Sequence, residues 1–251
     1  MLAAGALAIV VLPLIGLLQR VHWSSLAGDL RAGGAYTALR LSIITSLGAL
    51  GLSTLFGVPL AWVLARRRFP GRALVRALVT LPMVLPPVVG GIALLYAFGQ
   101  NGFAGGILQD LTGWRFVFNT SGAILAETFV AMPFLIVTAE ATFRSMDQRA
   151  EEAAATLGAG PGYRFRRVTL PAVAPALAAG GALAWARALG EFGATITFAG
   201  NLPGVTQTTP LLVYLDIESG HDATALALSL VLLIVSLLVL VGLRDRWLGS
   251  P

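Results

Sequence analysis

Of 251 residues, 57% are hydrophobic and only 12% charged, whereas a soluble domain usually carries about 25% charge, so a soluble globular fold is excluded. The net charge of +5 comes from 17 Arg, with no Lys, against 12 acids; these Arg flank apolar runs and lack interleaved aromatics, so no nucleic acid partner is expected. The absence of Cys excludes disulfides, thiolate metal sites and thiol nucleophiles.

Six stretches are apolar over a length that crosses a hydrocarbon core about 30 Å thick, which takes roughly 20 helical residues. They begin with Leu2 to Leu18, which has no basic region before it and so reads as a retained helix rather than a cleaved leader; the missing polar flank on that side points to a start further upstream or to a short terminus. The second is Ala38 to Ala65, with Arg40 placed to reach the outer interface. The third, Ala73 to Phe98, contains Pro82, Pro86 and Pro87, which must interrupt the helical hydrogen-bond ladder and make this segment a gate candidate. The fourth, Gly122 to Phe143, holds Glu127, expected in a hydrogen-bonded packing contact rather than as a proton site. Glu140 lies near its inner end and is expected to extend to the interface. The fifth and sixth are Ala172 to Phe198 and Ala223 to Leu243. Barrel strands would alternate with period two, and no such alternation is present, so the class is an all-α polytopic membrane protein with six transmembrane helices.

Arginine is unevenly shared between the loops. Arg66, Arg67, Arg68, Arg72 and Arg76 follow the second span; Arg144, Arg149, Arg164, Arg166 and Arg167 follow the fourth; Arg244 and Arg246 follow the sixth. The opposite loops hold Arg20, Arg31 and Arg115 with the acids Asp110, Asp216, Glu218 and Asp222. An excess of basic residues marks the cytoplasmic side, so both termini are expected there. Spans and short loops account for nearly the whole chain, 1–251, as one membrane domain with a cytoplasmic loop at 143–171 inside it.

That loop reads MDQRAEEAAATLGAGPGYRFRRVTLP from Met146 to Pro171. Asp147 is placed to cap a helix over Gln148 to Leu157, Gly158 to end it in a left-handed conformation, and the sequence then turns into a second helix. Glu152, Ala153, Ala154, Gly158, Val168, Leu170 and Pro171 fall at the spacing of the signature loop of ATP-binding-cassette importer permeases, which this segment resembles, with Val168 where Ile is usual. The resemblance implies a coupling helix that docks on a separate nucleotide-binding subunit. Gly158 to Gly162 is no phosphate loop, because a Walker loop needs a Lys.

The fifth span ends in ALGEFGATITFAGN, from Ala188 to Asn201, and the third contains LPMVLPPVVGG, from Leu81 to Gly91. Both resemble the molybdate and tungstate permeases, with sulfate and thiosulfate permeases as relatives sharing the ALGEFG-like core. Arg187 and Glu191, four residues apart, are placed to neutralise each other or to set the potential along an anion path. Thr195 and Thr197 either line that path or bond the preceding turn, and Gly190 and Gly193 permit close packing or a bend. His22 and His221 have no partner at metal-ligand spacing, and no catalytic constellation lies within the spans, which argues against an intramembrane enzyme.

The resemblance implies a type I importer permease of MetI-like fold in a bacterial or archaeal cytoplasmic membrane. It implies a homodimer, two cytoplasmic ATPase subunits and an extracytoplasmic molybdate-binding protein as partners, within the lipid bilayer. ATP and Mg would reside on the ATPase, with no cofactor on this chain and no enzymatic site of its own. The expected substrate is molybdate or tungstate, with sulfate or thiosulfate as the alternative.

Overall fold

The computed structural model describes the backbone of residues 1–247 and the side chains of residues 1–243. The side chains of Arg244 and Arg246 therefore lie outside the described residues. All regular structure among the described residues is helical.

Helix α1 (Leu2–Arg20) has no buried residue and touches the bundle near its last helix. After one short turn at Leu26–Asp29, α2 (Ala35–Arg66) runs through a single widened π turn at Ser53–Gly57. Next come α3 (Arg72–Val84), α4 (Pro87–Phe98) and α5 (Phe103–Thr112). Helix α6 (Thr120–Ser145) follows, started by Asn119, whose side chain accepts from the Ser121 N–H at 3.1 Å. The rest comprises α7 (Arg149–Thr156), α8 (Pro161–Leu189) with a second π turn at Phe165–Thr169, α9 (Gly193–Phe198), α10 (Thr209–Glu218) and α11 (Asp222–Trp247).

Five of these helices, α1, α2, α6, α8 and α11, are long and apolar enough to cross a membrane. The expected third span is divided into α3 and α4, and the expected fifth span stops at Leu189 and resumes as α9. Pro86 and Pro87 supply no N–H, so the carbonyls four residues earlier, at Pro82 and Met83, have no helical donor, and the ladder fails between Val84 and Pro87. Pro82, expected to contribute to the break, remains inside α3.

Helix α6 is the centre of the bundle, with α2 and α8 packed on it. Ala131, Leu135, Ile136, Ala139 and Phe143 of α6 interlock with Ala49, Ala61 and Leu64 of α2 and with Val173, Ala184 and Ala188 of α8. Hydrocarbon offers no hydrophobic drive for helices to associate, so tight van der Waals packing over small residues must hold them, and the many alanines meet that need.

Glu140 departs from expectation. Instead of extending to the interface it is buried on α6, where Arg76 donates to it and Arg144 and Arg72 lie 3.5 and 3.9 Å away. Arg72 and Arg76, counted with the loop in the sequence, belong to the first turns of α3 and stand one turn apart, which aims both at Glu140. Replacing Glu140 with Gln is expected to destabilise the purified chain by about 1–3 kcal/mol, because the arginines lose their counter-charge while staying partly solvated; thermal unfolding in detergent would measure it.

Candidate functional site

On the arginine-rich face the chain builds a short exposed helix. The Asp147 side chain accepts from the Arg149 N–H at 3.0 Å, and α7 starts at Arg149, one residue later than the sequence suggested. Gly158 has φ 84, a conformation open to Gly without a Cβ penalty; its N–H and that of Ala159 bond the carbonyls of Ala155 and Ala154, closing the helix as expected. The second helix of the loop is α8 itself, which starts at Pro161 and enters the bundle through the π turn.

The two acids of α7 point in different directions. Glu151 faces inward, where it accepts a hydrogen bond from Thr169 Oγ1 and pairs with Arg66 at 3.4 Å. Glu152 and Ala153 are exposed, and Leu157 is 88% exposed, an apolar side chain displayed at the tip of the loop. Ala154 is half-buried, while Leu170 and Pro171 lie farther along α8, exposed, directly after its π turn. The sequence singled out Glu152 and missed Glu151, although Arg66 at the end of α2 was a visible partner in charge.

Deeper in the bundle the two interrupted segments meet. Leu85 (φ −63, ψ 135) and Pro86 (φ −54, ψ 131) are extended before α4, and Gly190 and Phe192 carry non-helical backbone before α9. Helices α4 and α9 lie side by side in the same direction. A Cβ on Gly193 would come 2.7 Å from Pro87 Cβ, and one on Gly91 would come 1.7 Å from Thr197 Oγ1 and 2.9 Å from the Ala194 carbonyl. The two breaks therefore stand at one level. Pro86 and Pro87 are exposed and Val84 is 83% exposed, so the α3–α4 break opens on a surface of the single chain.

At the second break Arg187 Nη1 lies 2.7 Å from Glu191 Oε2, so the expected pair forms although α8 ends between the two residues. Glu191 is 1% exposed and its Oε1 also accepts from the Ala194 N–H at 2.8 Å, which places a carboxylate at the start of α9. The Arg187 side chain keeps 30% exposure. Thr197 donates to the Gly193 carbonyl at 2.8 Å, the local use weighed against a lining role, whereas Thr195 is buried and its hydroxyl has no hydrogen-bond partner among the described residues.

A polar stripe on α2 escaped the sequence reading. Thr45 Oγ1 donates to Glu127 Oε1 at 2.7 Å, Ser46 Oγ accepts from Trp185 Nε1 at 2.9 Å, and Ser42 Oγ accepts from the Thr209 N–H at 2.7 Å. These three hydroxyls tie α6, α8 and α10 to α2. Their spacing of three and four residues from Ser42 on a largely apolar helix was the available signal. Glu127 makes the hydrogen-bonded packing contact expected of it. Arg40 is exposed on α2, as expected, and among the described residues no cluster of acids and histidines could hold a metal ion.

Long apolar helices, paired mid-length breaks and a short exposed helix on a basic face are features of a transport permease. Residues 57–249 match the model of the binding-protein-dependent transport system inner membrane component family, and the chain belongs to that family. The molybdenum transport system permease protein ModB of Mycobacterium tuberculosis is 46% identical over 97% of this chain and 92% of its own length. The ModB protein of Escherichia coli is 42% identical over 85% and 93%, and the sulfate transport system permease protein CysT of Salmonella typhimurium is 35% identical over 94% and 86%. Among solved structures, a bacterial ABC transporter that imports alginate superposes with a TM-score of 0.71 over 99% of this chain and 96% of that one, at 19% identity, a likeness of fold. The chain is thus a multi-pass inner membrane component of a binding-protein-dependent transport system, with the fold class expected from sequence.

The contact between α4 and α9 leaves no room for a methyl group. Gly91→Ala is expected to lower the unfolding temperature and Thr197→Ala to have little effect, while the double variant recovers only part of the loss because the Ala194 carbonyl still crowds the new Cβ; a double-mutant cycle on thermal unfolding checks this.

Proposed function

We propose that this chain is the translocation subunit of an ATP-driven importer for molybdate, with tungstate as a second substrate. The carrying observation is the greater identity to the two molybdenum permeases than to the sulfate permease, at comparable coverage. Two copies of the chain form the pathway, two ATPase subunits bind its arginine-rich face, and an extracytoplasmic binding protein delivers the oxyanion. Both termini lie in the cytoplasm. ATP and Mg belong to the ATPase subunits, and this chain, without a Lys for a Walker loop, contributes motion rather than hydrolysis.

The geometry suits that role. Unpaired carbonyls at the α3–α4 break would be costly against lipid and are tolerated where protein or a water-filled cavity covers them, which favours the break as part of a dimeric pathway. The amino end of α4 brings positive dipole character to the level of the break, and the half-exposed Arg187 adds a charge there. Glu191 offsets that charge, so a dianion is attracted without being trapped. Movement of the ATPase is received at Glu152, Ala153, Ala154, Gly158 and Leu157, and passes into the bundle at Leu170 and Pro171 to shift it between inward-open and outward-open forms. Pro82, Pro86, Pro87, Arg187, Glu191, Thr195 and Thr197 are assigned to the path or its gate.

ATP-driven uptake in proteoliposomes containing the permease, its ATPase and the binding protein tests this. Uptake of molybdate and tungstate with sulfate excluded is the expected result; sulfate uptake would transfer the substrate to the sulfate and thiosulfate class. Glu152→Lys and Gly158→Asp should each abolish uptake while the chain still inserts in the membrane. Arg187→Gln should slow uptake roughly tenfold, the effect of about 1.4 kcal/mol on a barrier. Because that change leaves Glu191 buried without its partner, the double variant Arg187→Gln with Glu191→Gln is the control that should regain folding but not rate.

A further inference from the structure

Two cavities at the arginine-rich end of the bundle share one wall. The first, about 270 Å³, is lined by Arg66, Arg67 and Arg164 together with Glu151. The second, about 480 Å³, is lined by Pro59 and Val63 of α2. Trp62, Pro161 and Phe165 border both, and the Trp62 and Phe165 rings meet edge to face with centroids 6.1 Å apart. The pair is amphipathic: a basic chamber opens beside an apolar groove, one helical turn before the end of a membrane-crossing helix.

The basic chamber is not neutralised from within. Its single carboxylate, Glu151, is engaged by Arg66 and Thr169. Arg67 stacks over the Trp62 ring at 5.9 Å, and among the described residues neither Arg67 nor Arg164 lies within salt-bridge distance of an acid. The Nε atoms of Arg66 and Arg164 are shielded from solvent and have no acceptor among the described residues. A soluble anion would fill the chamber and leave the apolar groove unused. The exposed residues of α7, Glu152 and Leu157, lie on a different side of that helix from Glu151, so a subunit docked on them has its own surface.

We infer that this paired cavity is a binding site for an anionic phospholipid, with the phosphate headgroup against Arg66, Arg67 and Arg164 and an acyl chain along Pro59, Trp62 and Val63. Basic pockets between membrane helices favour such headgroups, and a Trp at the interface suits the boundary between headgroup and chain. The site requires only that the helices span a bilayer and is independent of which oxyanion is carried. Since Arg66 closes α2, Gln148 and Glu151 belong to the docking loop and Arg164 to the root of α8, the lipid would bridge all three.

Native mass spectrometry of the permease–ATPase complex, extracted from nanodiscs containing phosphatidylglycerol and phosphatidylcholine, tests the inference. Phosphatidylglycerol should remain bound to the wild type, and phosphatidylcholine should not. In Arg67→Gln with Arg164→Gln, occupancy should fall roughly thirtyfold, the loss expected from two arginines at a charged membrane surface. Val63→Trp, which fills the groove and leaves every arginine in place, should also displace the lipid, and thermal unfolding of both variants confirms that they fold. Equal retention in wild type and variants, equal retention of the two lipids, or displacement of phosphatidylglycerol by inorganic phosphate alone would overturn it.

Discussion

In hydrocarbon a backbone N–H or C=O has no water to turn to, and the whole architecture follows from that constraint. It makes helix the default and turns every break into a feature that must be sheltered. The chain breaks at only a few places within its apolar segments, and the two that matter, before α4 and before α9, lie against each other. Prolines create the first and a glycine-flanked acid the second. Side-chain groups take over part of the lost bonding, most plainly where Glu191 accepts the Ala194 N–H at the start of α9.

Charge within the bundle obeys the same economy. Glu140 gathers three arginines near the basic face, Glu191 holds one at the break, and Glu127 accepts the hydroxyl of Thr45. None of these acids is left to face lipid, and each joins separate segments: α6 to α3, α8 to α9, and α6 to α2. The ion pairs of Glu140 fasten α3 to α6 and the Glu127–Thr45 hydrogen bond fastens α2 to it, while the alanine-rich faces of α2, α6 and α8 supply the close packing.

Much of this was legible in the sequence because hydropathy and arginine placement report directly on the solvent each residue meets. The spans of α1, α2, α6 and α11, the left-handed Gly158 and the Arg187–Glu191 pair could all be read locally. What escaped depended on tertiary neighbours. Glu140 looked free to reach the interface because nothing local shows that Arg72 and Arg76 begin a helix lying beside it. Pro82 looked like a breaker but sits where α3 tolerates it, and the end of α8 at Leu189 was hidden within a run that stays apolar on both sides. The inward aim of Glu151 rather than Glu152 depended on where α2 terminates, which loop periodicity does not record.

Glu151 also sets how far a disturbance at α7 can remain local. One carboxylate is bonded at once to Thr169 in the π turn of α8 and to Arg66 at the last turn of α2. These helices are the two flanks of α6, so α7 is fastened to both sides of the central helix by a single group. A displacement of α7 would therefore be shared between two long helices instead of being carried by one.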